Sequence, residues 1–276
     1  MTRIRLADGH HVNVEVDGTG LPLVLLHGFT GSAGGWGRFA ELLRERFTTV
    51  AVDLPGHGLS DAPAEIERYE MARAVDDAVA AVALAGFARA AWLGYSMGGR
   101  TALHVAAAQP QAVASLVLVG ASAGLDCTEE RLARRTADNA LAARIEREGV
   151  PAFVRYWESL PLFATMRLLP ERERAAVRAG RLANSATGLA NSLRGMGTGA
   201  QEPLQHRLRE LTMPALVLAG EFDPKFVAIG RELVEMMPAS RFATVAGAGH
   251  AAHLEQPEAA AALVCEFLLN TTRSAP

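Results

Sequence analysis

Three side chains far apart in the sequence, Ser96, Asp223 and His250, are of the types that can pass a proton along a line. A serine hydroxyl is nearly inert at neutral pH, so it needs a base to take its proton and a third group to orient that base. Ser96 lies in Gly94-Tyr95-Ser96-Met97-Gly98, between the apolar run 90–93 and the alanine-rich stretch 99–108. A serine on a tight strand-to-helix turn projects its hydroxyl from the end of a sheet, and glycines on either side let the backbone turn that sharply. Asp223 closes Gly220-Glu221-Phe222-Asp223 after an apolar run, and His250 closes Gly247-Ala248-Gly249-His250 after another. Glu221 is the competing acid and His253 the competing base, although His253 lacks the glycines that would let its loop approach the serine.

A proton relay also needs donors for the charge that develops on the reacting oxygen. The loop His27-Gly28-Phe29-Thr30-Gly31-Ser32 is glycine-rich where a backbone N–H must point inward. The N–H groups of Phe29 and Met97 would form a two-donor oxyanion hole, each donor contributing about 3 kcal/mol to the transition state. His27, Asp53 and His57 sit in neighbouring loops and read as structural. Asp53-Leu54-Pro55-Gly56-His57-Gly58 is a turn whose proline and glycines set backbone angles.

The elements that must position these groups follow from apolar patterning. Residues 4–6 and 12–16 flank a turn at Asp8-Gly9 and predict an N-terminal hairpin. The continuous apolar runs 23–26, 49–52, 91–93, 116–119, 215–218 and 242–245 read as strands. Helical periodicity covers 37–47, 69–85, 99–108, 226–237 and 257–269. Such alternation predicts an α/β fold: a mostly parallel sheet of about eight strands, with helices on both faces. From 127 to 195 no strand-like run occurs, and Pro151, Pro161 and Pro170 punctuate helical stretches. This predicts a core of residues 1–121 and 201–276 and a helical cap, 122–200, over the carboxyl ends of the strands. Residues 271–276 read as a frayed tail.

Composition narrows the function class. The 276 residues are 50% apolar and 21% charged with a net charge of −3, which disfavours a nucleic-acid partner. No apolar run approaches the roughly 18 residues of a membrane span, and no signal segment follows Met1. Cys127 and Cys265 are too few for a disulfide framework and read as thiols in a reducing cytoplasm. Neither a metal cluster nor a nucleotide-binding glycine motif is apparent, so no metal and no cofactor are expected. Residues 122–200 hold 12 Arg against 9 acidic residues, a locally positive segment suited to a small anionic substrate. Lys225 is the one lysine among 27 basic residues.

The order Ser, Asp, His, with spacings of 127 and 27 residues, is that of the α/β-hydrolase superfamily. Further segments resemble one branch of it, the 2-succinyl-6-hydroxy-2,4-cyclohexadiene-1-carboxylate synthases of menaquinone biosynthesis. They are Gly94–Arg100, the stretch Glu129–Arg134, Tyr156-Trp157-Glu158-Ser159-Leu160-Pro161-Leu162-Phe163, Arg181-Leu182-Ala183-Asn184 and Asp223-Pro224-Lys225-Phe226. The resemblance implies a lyase in which Ser96, activated by His250, removes a substrate proton and pyruvate is eliminated. It also implies that Arg100, Arg134 and Arg181 clamp the carboxylates of a polycarboxylate substrate, with Tyr95 and Trp157 lining the pocket; the lone Lys225, two residues from Asp223, would add a compact ammonium group for substrate binding. Arg135, beside Arg134, is an alternative for the inward position, and Gln205 stands where family members carry tryptophan. The same residues would also suit a serine hydrolase, either an esterase, a lactonase or a carbon–carbon bond hydrolase. A non-catalytic binding protein of this fold would have no need of all three relay residues.

Overall fold

The computed structural model describes residues 2–273, and the apolar runs pair into one eight-stranded sheet. Its strands are β1 (Thr2–Arg5), β2 (His11–Asp17), β3 (Leu21–Leu26), β4 (Phe47–Val52), β5 (Ala90–Tyr95), β6 (Val113–Val119), β7 (Ala215–Gly220) and β8 (Ser240–Val245). Their spatial order is β1-β2-β4-β3-β5-β6-β7-β8. The hairpin β1–β2 and the β2–β4 pair are antiparallel; the remaining pairs are parallel.

Side-chain alternation along the inner strands divides the core in two. Val24, Leu26, Leu116, Leu118 and Val217 face one side, where α2 (Met71–Leu84), α3 (Met97–Ala108) and α7 (Pro224–Met236) cover them. Leu23, Leu25, Val117, Val119, Leu216 and Leu218 face the other, under α1 (Gly37–Arg44) and α9 (Pro257–Arg273). Burial on both faces is why these strands read as unbroken apolar runs.

The chain leaves β3 for β4 on one side and later takes β5 on the other. The loops after β3 and β5 therefore diverge at a crevice beyond the strand ends, where open α/β sheets bind ligands. Leu26 pairs with Gly94, which sets the Phe29 loop directly beside Ser96.

Between β6 and β7 the chain is helical: α4 (Thr128–Ser159), a 3-10 segment (Pro161–Leu168), α5 (Glu171–Leu182) and α6 (Ala186–Met196). Helix α4 kinks at Gly149, just before Pro151. The insert has its own small core, with Ile145, Phe153, Val154 and Leu189 packed together and Phe29 and Trp157 against them. Asn184 ties it down, donating to the Thr30 carbonyl at 2.9 Å and accepting from Gly58 N at 3.2 Å.

One expectation needs correction. Residues 271–273 continue α9, because Phe267 and Leu268 keep its last turns packed on the sheet; residues 274–276 lie outside those described. A short helix, α8 (Ala252–Glu255), also follows His250 without a sequence signal of its own. Four residues carry too little periodicity to announce a helix.

The insert docks by backbone contact: a side chain at Gly188 would collide with the Gly56 backbone. Gly188→Val should therefore cost about 2 kcal/mol, the range of a core overpacking, and lower the thermal midpoint by about 5 °C. Gly180→Ala, where an added Cβ meets nothing within 4 Å, should leave the midpoint unchanged or raise it. Equal midpoints for Gly188→Val and wild type would contradict this docking.

Candidate active site

Ser96 sits between β5 and α3 at φ 51°, ψ −109°, a left-handed conformation costly for a residue with a Cβ. The turn is held because Ser96 N donates to Val119 O at 2.8 Å and Arg100 N to Ser96 O at 3.0 Å. It is possible only with glycine at 98, where a Cβ would run into the Leu26 carbonyl.

The structure brings the other two candidates to this turn. Asp223 caps α7, its Oδ1 accepting from Phe226 N at 3.3 Å, while Oδ2 lies 2.8 Å from His250 Nδ1. A carboxylate only accepts, so Nδ1 carries the proton and Nε2 is left as an acceptor. Nε2 lies 3.3 Å from Ser96 Oγ. Asp223 and His250 are both buried, and the imidazole packs against the rings of Phe226 (4.6 Å), Tyr95 (5.3 Å) and Phe163 (6.1 Å). The competitors are engaged elsewhere. His253 stacks on Tyr95 at 4.3 Å and Trp36 at 5.0 Å, and Glu221 accepts from Gly247 N at 2.9 Å.

Ser96 and His250 open onto a cavity of about 180 Å³ lined also by Phe29, Tyr95, Met97, Arg100, Arg134, Trp157, Arg181 and Lys225. Asp223 stands behind His250, outside the lining. Arg134 faces this cavity, whereas Arg135 faces a surface groove with His104 and Arg194. Gln205 donates to Gly124 O at 3.1 Å and does not line the cavity. The core thus supplies the relay, Tyr95, Arg100 and Lys225, and the insert supplies Arg134, Trp157 and Arg181.

Each cation is held differently. Arg100 is buried and donates to Met196 O at 2.9 Å and to Gln201 Oε1; burial, then the charge of Arg134, pushes its pKa down to about 10. Arg181 reaches Glu158 at 3.3 Å and lies over the Phe163 ring at 5.3 Å. Lys225 Nζ is 5.8 Å from the Phe226 ring centre. The apolar wall is a chain of rings, with Trp157 5.3 Å from Phe29 and 5.4 Å from Phe163. Burial raises the Tyr95 pKa, so this phenol stays neutral. Cationic forks beside an apolar wall can hold a small molecule that is both anionic and ring-bearing. Among the described residues, no three His, Cys, Asp or Glu side chains gather as a metal site.

Two supporting residues that sequence reasoning did not assign now stand out. Gln201 holds Arg100, and Asn184 ties the insert to the Phe29 loop. The partners of Gln201 and Asn184 lie up to 154 residues away, so no local pattern announces them. The buried Asp53 carboxylate, read from sequence as structural, accepts from Ala33 N, Leu59 N (2.8 Å) and Asn13 Nδ2 (2.8 Å), tying its own loop to the turn at Ala33 and to β2.

His27 joins two loops, its Nε2 accepting from Leu54 N at 3.0 Å and its Nδ1 facing Gly28 O at 2.8 Å. Burial depresses its pKa to about 4, that of His104 to about 4, and those of His57 and His253 to about 3. Unfolding frees all four to protonate near 6.5, so the unfolded state binds more protons below that pH. Stability should be full above pH 6.5 and fall steadily between pH 6.5 and 4. Thermal melts across that range test this, and a flat midpoint would contradict neutral burial.

Residues 22–257 match the family model of the alpha/beta hydrolase fold. A Bacillus subtilis (strain 168) protein provisionally named a 2-succinyl-6-hydroxy-2,4-cyclohexadiene-1-carboxylate synthase is 42% identical over 96% of this chain and 97% of its own. The synthase of that name from Enterobacter sp. (strain 638) is 34% identical over 89% and 91%. Among solved structures, MenH from Staphylococcus aureus superposes with a TM-score of 0.89 at 30% identity, covering 95% of this chain and 99% of that one. A malate-bound esterase from Thermogutta terrifontis gives 0.84 at 28% identity, covering 98% and 99%. The chain is thus an enzyme of the α/β-hydrolase fold family and, within it, belongs to the 2-succinyl-6-hydroxy-2,4-cyclohexadiene-1-carboxylate synthase group.

Proposed function

We propose that this enzyme is a carbon–oxygen lyase of menaquinone biosynthesis. It eliminates pyruvate from a succinylated, enolpyruvyl-bearing cyclohexene carboxylate and leaves 2-succinyl-6-hydroxy-2,4-cyclohexadiene-1-carboxylate. The observation carrying this reading is that one cavity presents a Ser–His–Asp line together with Arg100, Arg134, Arg181 and Lys225. Hydrolysis alone gives no reason for so many cations, whereas a substrate with several carboxylates does.

In this reading the Ser96 hydroxyl passes its proton to His250 Nε2 as its oxygen takes the proton from the carbon beside the succinyl carbonyl. The electron pair moves toward the carbonyl oxygen, where the N–H groups of Phe29 and Met97 hold the charge. Its return through the ring breaks the bond to the enolpyruvyl oxygen. Enolpyruvate departs and becomes pyruvate on taking a proton at carbon. His250 then gives up its extra proton, and Asp223 stabilises the imidazolium in between. Trp157 and Tyr95 shape the wall against the ring, and residues 122–200 act as the cap that closes on a core of 1–121 and 201–276. A cytoplasmic site of action accords with the unpaired cysteines 127 and 265.

Ester hydrolysis is the second reading, favoured by the likeness to the Thermogutta esterase. The purified protein, given the cyclohexene precursor, should release pyruvate and develop the absorbance of a conjugated diene. Absence of turnover, with brisk hydrolysis of p-nitrophenyl acetate that Ser96→Ala abolishes, would replace the lyase with the esterase. Arg181→Ala should raise KM by about tenfold or more, the cost of one charge-assisted pair, with kcat much less affected. An unchanged KM would remove the carboxylate clamp.

A further inference from the structure

We propose that Asp138, on helix α4, is a positioning residue that presents the Arg134 guanidinium to a substrate carboxylate. The proposal rests on the carboxylate-binding reading above. Arg134 is half exposed, and a long side chain so placed samples many rotamers unless something fixes it. Asp138 Oδ1 accepts from Arg134 Nε at 2.8 Å. This grips the fork by its inner nitrogen and leaves the edge formed by the two terminal nitrogens free to pair bidentately.

The carboxylate is placed for this task and not for solvation. Asp138 is 4% exposed, one turn from Arg134 on the same helix face, and its Oδ2 has no hydrogen-bond partner among the described residues. It lies against Gly197, where a Cβ would collide with that oxygen, and Gly197 itself lines the cavity. The acid thus sits immediately behind the cavity wall. Arg100, anchored on Met196 O one residue away, feels Asp138 as an attractive charge and Arg134 as a repulsive one. One buried carboxylate therefore offsets two crowded guanidiniums and still leaves the site cationic. Burying an acid with one oxygen unpaired costs stability, a cost that makes sense where it organises binding.

The test uses Asp138→Ala and Asp138→Asn with two readouts. These are KM and kcat for the cyclohexene precursor, and the Kd of succinate by calorimetry, which needs no turnover. Asp138→Ala should raise KM and the succinate Kd about tenfold, the effect of losing one charge-assisted hydrogen bond, with kcat within about threefold. Asp138→Asn keeps an acceptor for Nε and should recover most of that loss. Arg134→Ala and the double variant Arg134→Ala/Asp138→Ala should be equally impaired, because Asp138 acts through Arg134. A general structural role would instead lower the melting temperature and kcat and add to the Arg134→Ala effect. Unchanged or tighter succinate binding in Asp138→Ala, or additive losses in the double variant, overturns the proposal. A wild type that binds succinate but releases no pyruvate overturns the lyase reading alone; one that does neither overturns both.

Discussion

The structure depends on a line of three buried or half-buried groups, from the Asp223 carboxylate through the His250 imidazole to the Ser96 hydroxyl. Each link needs a different part of the chain to end in the right place. Asp223 is fixed because its second oxygen caps α7. His250 is fixed between Asp223 and the rings of Phe226, Tyr95 and Phe163. Ser96 is fixed by a strained turn that the pairing of β5 with its neighbours sustains. The 3.3 Å link from Nε2 to Oγ is the looser one. In the proposed mechanism this link would tighten when substrate arrives, as such hydrogen bonds commonly do.

Around this line the molecule assembles charge that neither part of the chain could gather alone. Helices α3 and α7 contribute Arg100 and Lys225, and the insert brings Arg134 and Arg181. Burying and crowding cations is unfavourable: burial first, and then the charge of Arg134, depresses the pKa of Arg100. The structure offsets the repulsion with hydrogen bonds from behind: Met196 O and Gln201 on Arg100, Asp138 on Arg134, Glu158 on Arg181. An anion with several carboxylates would relieve the rest, so the charge lining the cavity is complementary to such a ligand.

Much of the architecture was legible because burial on both sheet faces forces unbroken apolar strands, and because the helical insert lacks any such run. The helical stretch 257–269 was readable, but its extension to 273 was not, since polar Asn270 and Thr271 interrupt the apolar pattern. The relay residues were legible because their neighbours constrain the backbone: glycines flank Ser96 and precede His250. The inward choice between Arg134 and Arg135 was not, since adjacent residues on a helix share composition and differ only in direction. Asp138, Asn184 and Gln201 were silent for another reason. Their roles consist of hydrogen bonds to distant backbone or to other side chains, and such partners exist only once the chain is folded.

If Ser96 and His250 act as one unit, removing either should cost what removing both costs. Turnover of the cyclohexene precursor by Ser96→Ala, His250→Ala and the double variant measures this directly. Three nearly equal rates are expected, each on the order of 10³-fold or more below wild type. Losses that multiply in the double variant would mean that serine and histidine work independently, and the proton line would be wrong.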